Sequence, residues 1–344
     1  MPQESRTPVT LSDVAAHAGV SLATASRVLN GSTRRVRAPL HEKVVASARA
    51  LGYVVDAQAQ AVARGTSSTI ALVVGDIADP YFSGLAAGAI AAARARGMTV
   101  TLSTVTADPR DEAEVVAALR SQRPRAVVLA RSRHVDPDAG AGLAVELDAF
   151  RARGGSVSVV GGSTPADART VRVANREGAE ALAAALVARG YRRFGVLAGD
   201  QSLATPRDRA AGFVTGAERA GVRIAPELVV PGEFSRDGGH DSALELLRRH
   251  PDLDCVFAVT DVMAVGAMAA LRDLGRDPGA DVGVAGFDDI AMLADVRPSL
   301  TTVSLPLATI GERAVELALA LEEELETPEP VEGELRLRDS TPAR

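Results

Sequence analysis

From Ile70 onward, short aliphatic runs alternate with helix-favouring stretches, and this alternation constrains the fold more than any other feature of the chain. Ile70-Ala-Leu-Val-Val, Thr99-Val-Thr-Leu and Ala126-Val-Val-Leu read as strands, with helices expected near Tyr81 to Arg96 and Asp111 to Ser121. A second cycle starts near Val171 and holds Phe194-Gly-Val-Leu-Ala, Cys255-Val-Phe-Ala-Val and Val282-Gly-Val-Ala-Gly, each followed by a loop and a helix. Strand, helix and strand in this rhythm make a parallel sheet. Two such cycles imply two lobes with a cleft between them. Ligands of open parallel sheets lie beyond the carboxyl ends of the strands, so residues just after these strands are the candidates for binding.

At 344 residues the chain has room for two or three folding units. Apolar residues make up 47% and aromatic residues 3%, so the core must be built from Ala, Val and Leu. Cys255 is the sole cysteine and stands in an apolar strand, which excludes a disulfide framework and fits a reducing compartment. The start of the chain lacks the basic and apolar regions of a signal peptide, and no window approaches the length of a membrane span. A cytoplasmic protein that is not inserted in a membrane is expected. The net charge of −6 argues against a general nucleic-acid coat, but it is unevenly placed. Residues 1–66 carry 8 Lys and Arg against 4 Asp and Glu, whereas the remainder carries 30 against 40. A basic head on an acidic body suggests that only the head meets phosphate.

That head contains two short helices with nameable ends. Thr10 is a plausible N-cap, and Asp13, three residues on, stands where a capping-box acid belongs. The first helix is expected from about Leu11 to Ala18. Gly19 supplies the turn, Ser21 caps the next helix, and that helix is expected from about Leu22 to Asn30. Leu11, Val14 and Ala15 face inward from the first helix, and Ala25, Val28 and Leu29 from the second. Two helices joined by a tight glycine-containing turn form the unit that places its second helix in a major groove. A third helix has Pro39 at its start, Gly52 past its end, and Val44, Val45, Ala48 and Leu51 along its buried stripe. Asp56 to Arg64 favours a helix but is too short to be stable alone, so it is either a segment that orders on packing or a flexible tether.

The runs Thr10-Leu-Ser-Asp-Val-Ala, Ala18-Gly-Val-Ser and Thr24-Ala-Ser-Arg-Val-Leu-Asn-Gly31 closely resemble the DNA-binding head of the lactose-repressor (LacI/GalR) family. The likeness continues through His41-Glu-Lys-Val-Val and Leu51-Gly-Tyr53. Further marks lie in Asp76-Ile-Ala-Asp-Pro-Tyr-Phe82, Arg209-Ala-Ala-Gly-Phe213, Thr260-Asp-Val-Met-Ala-Val-Gly-Ala267, Gly286-Phe-Asp-Asp289 and Leu300-Thr-Thr-Val303. The resemblance implies an α/β chain with an N-terminal all-α helix-turn-helix head and a two-lobed, type I periplasmic-binding-protein-like effector domain with parallel sheets. It implies a DNA-binding domain at 1–55, a hinge helix and linker at 56–68, and an effector and dimerisation domain at 69–344. Within the last, one lobe takes about 69–173 and 305–324, the other about 174–304 and 325–344.

Carried over position by position, the resemblance puts Leu22, Ala23 and Arg27 where the family reads base edges. Arg27 can donate two hydrogen bonds to guanine, and the apolar pair can meet thymine methyls. Thr24, Ser26 and Asn30 would contact phosphate, and Val62 would wedge into the minor groove from the hinge helix. Solvent-facing helix positions remain the alternative for Leu22 and Ala23. Arg34, Arg35 and Arg37 supply nonspecific attraction. In the effector domain the resemblance marks Tyr81, Phe82, Arg209, Phe234, Thr260, Asp288 and Leu307 as pocket residues. For Arg209 and Asp288 two roles stand open, ligand contact or a lobe-closing ion pair; for Phe82 and Phe234 the rival is ordinary packing. The chain departs from the family pattern with Val55-Asp56 before the hinge, Val62 in place of Leu, Thr260 in place of Asn and Ala174 in place of Asp. Gly161 and Gly162 bring no side chain to a strand end that often contributes one. The lost polar groups leave the ligand unnamed.

Five histidines, His17, His41, His134, His240 and His250, lack metal-ligand spacing, and Asp288-Asp289 has no further clustered ligands. No metal, cofactor or catalytic constellation is expected. A transport protein would share the two lobes but has no use for the head. The resemblance implies a transcriptional regulator, a repressor in the usual case, that binds double-stranded operator DNA as a homodimer, because one head reads only a few base pairs. A sugar-like effector between the lobes would alter their angle and thereby the spacing of the heads. The C-terminal helix is expected to end near Glu324, and the tail beyond it shows no leucine heptad for a tetramer.

Overall fold

The computed structural model describes residues 9–29, 36–54, 67–106, 108–136, 138–161, 169–321 and 329–344. They belong to two compact units, Met1–Ser67 and Ser68–Arg344. Asn30, Arg34, Arg35, Val62, Gly162 and the expected hinge helix lie outside the described residues.

The first unit holds helices α1 (Leu11–Ala18), α2 (Leu22–Leu29) and α3 (Ala38–Leu51). Thr10 and Asp13 close a reciprocal capping box: the Asp13 amide donates to Thr10 Oγ1 at 3.3 Å, and the Thr10 amide donates to Asp13 Oδ2 at 2.8 Å. The Thr10 amide and, at 2.7 Å, the Thr10 hydroxyl both donate to that carboxylate and hold it below its ordinary pKa. Gly19, at φ +61°, ends α1 in the left-handed conformation that a side chain would resist. Ser21 Oγ then accepts from the Thr24 amide at 3.2 Å and starts α2. Val14, Ala15, Ala18, Ala25, Val44 and Ala48 form the small core, with Leu11, Val20, Val28, Leu29, Leu51 and Tyr53 packed around it.

In the second unit the first lobe is one parallel sheet of β1 (Thr69–Val74), β2 (Thr99–Thr104), β3 (Ala126–Ala130), β4 (Ser156–Val160) and β5 (Arg169–Val171), in the order β2-β1-β3-β4-β5. Helices α4 (Pro80–Ala95), α5 (Pro109–Gln122) and α6 (Ala141–Arg151) make its crossovers. The second lobe is a parallel sheet of β6 (Phe194–Gly199), β7 (Val229–Pro231), β8 (Cys255–Ala258) and β9 (Gly283–Ala285), in the order β7-β6-β8-β9. It is flanked by α7 (Asn175–Ala188), α8 (Ala204–Arg219), α9 (Arg236–Arg249) and α10 (Asp261–Asp273). Strand β10 (Thr302–Ser304) leads into α11 (Leu307–Leu319), which returns to the first lobe and packs on α4 and β4. Strand β11 (Glu334–Arg336) then pairs antiparallel with β10. The chain therefore crosses between the lobes after β5, after β10 and again before β11.

Helix α11 ends at Leu319, short of the expected Glu324. Arg169, at the start of β5, explains the early stop: its Nη1 donates to the carbonyls of Leu317, Ala318 and Ala320 at 2.9, 3.2 and 2.6 Å. Ser158 Oγ adds a bond to the Ala314 carbonyl at 2.7 Å. A cation on the last carbonyls satisfies acceptors that a helix end leaves open.

With few aromatic side chains, the helix pairs gain contact by coming close. A Cβ on Gly88 of α4 would stand 1.8 Å from the Ala308 carbonyl oxygen, and one on Gly311 of α11 would stand 2.0 Å from that of Leu85. Gly212 and Gly216 of α8 meet Arg176 and Glu180 of α7 in the same way. Where aromatics do occur they are concentrated: Phe213 stacks on Phe257 at 4.2 Å and meets Phe194 edge-on at 5.4 Å in the second lobe. Gly88→Ala is expected to destabilise the protein by about 2–3 kcal/mol through forced separation of α4 and α11. Gly142→Ala, on exposed α6 with its nearest neighbour 3.8 Å away, should instead be neutral or stabilise by up to about 1 kcal/mol. Urea unfolding of the two variants checks the contrast.

Candidate nucleic-acid interface and ligand cleft

Helix α2 buries Ala25 and leaves Leu22, Ala23 and Arg27 exposed, with Thr24 and Ser26 half-buried. Leu22 is 51% exposed, although it opens a helix whose other leucine packs inward. Ala23 and Arg27, four residues apart, share one exposed face, and Leu22 stands exposed at the start of the same helix, an apolar and cationic set of the kind that thymine methyls and base edges call for.

In the second unit, Tyr81, Phe82, Arg209, Phe234, Thr260 and Asp288 wall one cavity of about 40 Å³ at the carboxyl ends of the strands of both lobes. Tyr81 and Phe82 come from the first turn of α4, which Asp79 starts by accepting from the Tyr81 amide at 2.9 Å. Their rings meet edge-on at 5.1 Å, and Phe82 also rests against Gly75, so it packs and lines the cavity at once. Thr260 caps α10 through its hydroxyl, which accepts from the Met263 amide at 3.3 Å. Leu307 does not line the cavity: it sits at the start of α11 with its side chain against Gly84 of α4, drawn away by the close approach of those two helices.

Arg209 organises the cavity. Only 2% exposed, it donates Nη2 to Asp288 Oδ1 at 2.7 Å, Nε to Asn175 Oδ1 at 2.8 Å and Nη1 to the Val259 carbonyl at 2.9 Å. Its guanidinium carbon lies 3.9 Å over the Phe287 ring. Three of the five N–H donors are thereby used, and the fork is fixed before any ligand arrives. Arg209 and Asp288 both belong to the second lobe, so their pair does not join the lobes; it forms part of the cavity wall.

Burial pushes the Asp288 carboxyl up to about 8, against the opposing pull of Arg209 and with help from nearby Asp261 and Asp79. Burial likewise raises Asp261 to about 6, opposed by hydrogen bonds from Thr302 Oγ1 at 2.6 Å and the Ile290 amide at 2.9 Å. Desolvation also raises Asp79 and Tyr81. Asp288 and Asp289 have φ of +120° and +58°, a region costly for residues with a Cβ. They are held there by the Asp288 amide donating to the Val303 carbonyl at 2.9 Å and by an Arg338–Asp289 ion pair at 2.7 Å.

Sequence reasoning passed over several wall residues, namely Asp79, Arg131, Ser132, Asn175 and Thr205. Asn175 adjoins Ala174, one of the departures from the family pattern. Its signal was local, at the first turn of α7, while its partner Arg209 lies 34 residues away. Across the cleft the loop after β3 is tied to the loop before α8: Ala204 donates its amide to the Arg133 carbonyl and Val135 its amide to that of Ser202, both at 2.8 Å. The Thr205 amide adds a bond to Ser132 Oγ at 3.0 Å.

A helix-turn-helix unit followed by a two-lobed binding domain with a polar, prearranged cleft defines a ligand-responsive DNA-binding regulator. Residues 10–56 match the bacterial regulatory proteins of the lacI family, and residues 183–341 match the periplasmic binding protein-like domain. The HTH-type transcriptional regulator GalR of Escherichia coli strain K12 is 32% identical over 93% of this chain and 91% of its own. The HTH-type transcriptional regulator CelR of Thermobifida fusca is 32% identical over 98% and 99%. Among solved structures, the lac repressor dimer bound to operator and the anti-inducer ONPF superposes with a TM-score of 0.83 at 26% identity, covering 98% of this chain and all of that one. A CelR–cellobiose complex superposes with a TM-score of 0.68 at 30% identity, covering 96% and 99%. The chain belongs to the lacI family of bacterial regulatory proteins and is a transcriptional regulator. No helix among the described residues is long and apolar enough to cross a membrane.

The raised carboxyls fix the sign of a pH effect. Unfolded, Asp288 and Asp261 ionise near 4, whereas folded they keep their protons to about 8 and about 6. The stability this contributes is complete below pH 4 and is lost as pH rises through 6 and 8. Melting temperature should therefore fall from pH 5 to pH 8 by a few degrees, roughly 1–3 kcal/mol. Asp288→Asn, which keeps an acceptor for Arg209, should flatten most of that slope in thermal melts followed by circular dichroism.

Proposed function

We propose that this regulator binds a palindromic operator as a homodimer through the exposed face of α2, and that a sugar-like effector held between the lobes controls its operator affinity. The observation that carries the reading is the Arg209–Asp288 pair: a prearranged cation and carboxyl facing one cavity at the carboxyl ends of two parallel sheets. A vicinal diol can accept from the unused N–H groups of Arg209 and donate to Asp288, while Tyr81, Phe82 and Phe234 supply faces for an apolar sugar surface. CelR is known with cellobiose and the lac repressor with the anti-inducer ONPF, and both resemble this chain over nearly its whole length. At about 40 Å³ the cavity is far below the roughly 300 Å³ or more of small-molecule pockets. Entry of a sugar thus requires the lobes to part, and lobe angle becomes the variable that an effector sets. Leu22, Ala23 and Arg27 read bases, Thr24, Ser26 and Asn30 contact phosphate, and Val62 enters the minor groove, following the family likeness. The sense is repression, the ligand is bound rather than transformed, and the site of action is the cytoplasm, where the chromosome is.

Selection of duplexes by the full-length protein from a random pool, followed by fluorescence anisotropy, tests the DNA half. Arg27→Ala is expected to weaken the selected site by about 1–3 kcal/mol and to relax preference at one base pair. Calorimetry with cellobiose, galactose and related sugars tests the other half. Arg209→Met should weaken the sugar that binds by about 3 kcal/mol, some hundredfold. Linkage requires operator and sugar to shift each other's affinity by one factor. Equal sugar affinity with and without operator would overturn the reading.

A further inference from the structure

A second cavity, of about 400 Å³, lies in the first lobe between α5, α6 and the loop after β3. Strand alternation separates it from the effector cleft: Leu129 and Val159 face this cavity, whereas their neighbours Ala130 and Val160 face the cleft. Its volume lies in the range that takes small organic molecules, ten times that of the cleft in this form.

The wall has an apolar side, the polar residues Arg131, Ser132 and Asp136, and one further polar corner. Leu129, Leu143 and Leu147 make the apolar side, and Glu112, Arg133 and His134 make the corner. Glu112 is 4% exposed and accepts from Arg133 through Oε2, with Nη1 at 2.6 Å. Its other oxygen, Oε1, has no hydrogen-bond partner among the described residues, nor do Arg133 Nε and Nη2 or His134 Nε2. Buried polar atoms in native proteins are nearly always satisfied, so four in one corner beside a cavity point to a missing partner. Arg133 Nε and Nη2 form one edge of the guanidinium, whose parallel donors match the two oxygens of a carboxylate. Glu112 Oε1 calls for a donor.

We propose that this cavity is a second small-molecule site, which takes a small carboxylic acid bearing a hydroxyl beside the carboxylate and an apolar tail. The carboxylate lies on the free edge of Arg133, the hydroxyl donates to Glu112 Oε1, and the tail lies against Leu143 and Leu147. The site communicates with the cleft because both cavities share Arg131 and Ser132 in their walls. The loop that forms its polar corner also carries the inter-lobe bonds of Arg133 and Val135 to Ala204 and Ser202. An occupant that fixes this loop favours the arrangement in which those bonds are made, whatever the cleft holds.

The test uses full-length protein and 3-phenyllactate as probe, with its methyl ester and 3-phenylpropanoate as comparators, read by calorimetry and hydrogen exchange. Saturable binding of 3-phenyllactate is expected, at least tenfold tighter than the ester and tighter than 3-phenylpropanoate. Ala144→Phe or the milder Ala144→Leu, whichever keeps the wild-type melting temperature, fills the cavity and should weaken the probe at least tenfold. Arg209→Met should still bind the probe saturably, because Arg209 is not part of this cavity's wall. In wild-type protein the probe should slow amide exchange in α6 and at Val135 and Ala204. No saturable binding, equal binding of acid and ester, full binding by the filled variant, loss of binding in Arg209→Met, or protection confined to other segments would each overturn the proposal. These results do not depend on which sugar, if any, enters the cleft.

Discussion

Arg209 is the side chain around which the effector domain is arranged. It leaves α8, passes under the carboxyl end of β8 and reaches Asp288 on the segment that joins β9 to β10, bonding Asn175 at the start of α7 on the way. A guanidinium at 2% exposure is tolerable only because its N–H groups find a carboxyl, an amide oxygen and a main-chain carbonyl while an aromatic ring covers one face. Removing any one partner would leave a buried polar group open, which costs more than the bond itself contributes. The network therefore acts as a unit. Through Asp288, whose main chain bonds Val303 and Leu305, it is joined to the segment by which the chain crosses after β10.

What could be read from the sequence followed the range over which each signal acts. The capping box of Thr10 and Asp13, the left-handed Gly19 and the Ser21 cap each involve residues within four positions, and each was legible in the order of residues alone. The alternation of aliphatic runs and helices likewise indicated parallel sheets before any coordinates. Arg209 and Asp288 are 79 residues apart, and only the likeness to a known family could place them together. Leu307 shows the limit of that route. The likeness marked it for the cleft, but its side chain is taken up by contact with Gly84, because α4 and α11 meet backbone to backbone at Gly88 and Gly311. No residue near Leu307 in sequence announces that contact. The end of α11 was misjudged for the same reason, since the cation that stops it, Arg169, lies about 150 residues earlier.

The glycine contacts also explain how a chain with 3% aromatic residues builds a domain of this size. A core of Ala, Val and Leu offers little area per side chain, so more of the contact must come from backbone against backbone. Glycines at the crossings of α4 with α11 and of α7 with α8 permit it. Such contacts resist small displacements, since a helix seated on a neighbour's carbonyls has no flexible side chain to absorb a shift. Each lobe is accordingly stiff against small displacements of these helices.

The strained residues lie against one of the segments that join the lobes. Asp288, at φ +120°, lies where β9 passes toward β10, and its amide and carbonyl both bond the returning strand, at Val303 and Leu305. A side chain in the cavity wall and a backbone that bonds the crossing segment are thus one residue. Positive φ at a buried aspartate costs of order 1–3 kcal/mol, comparable with the free energies that bias two-state lobe arrangements. Any rotation of the lobes that relaxes φ at Asp288 must also turn its carboxyl relative to Arg209, and any ligand that fixes the carboxyl must resist that rotation. Strain and recognition therefore oppose each other at a single Cα. A stiff-lobed protein needs only such a point for a bound molecule to be felt at the far end of the chain.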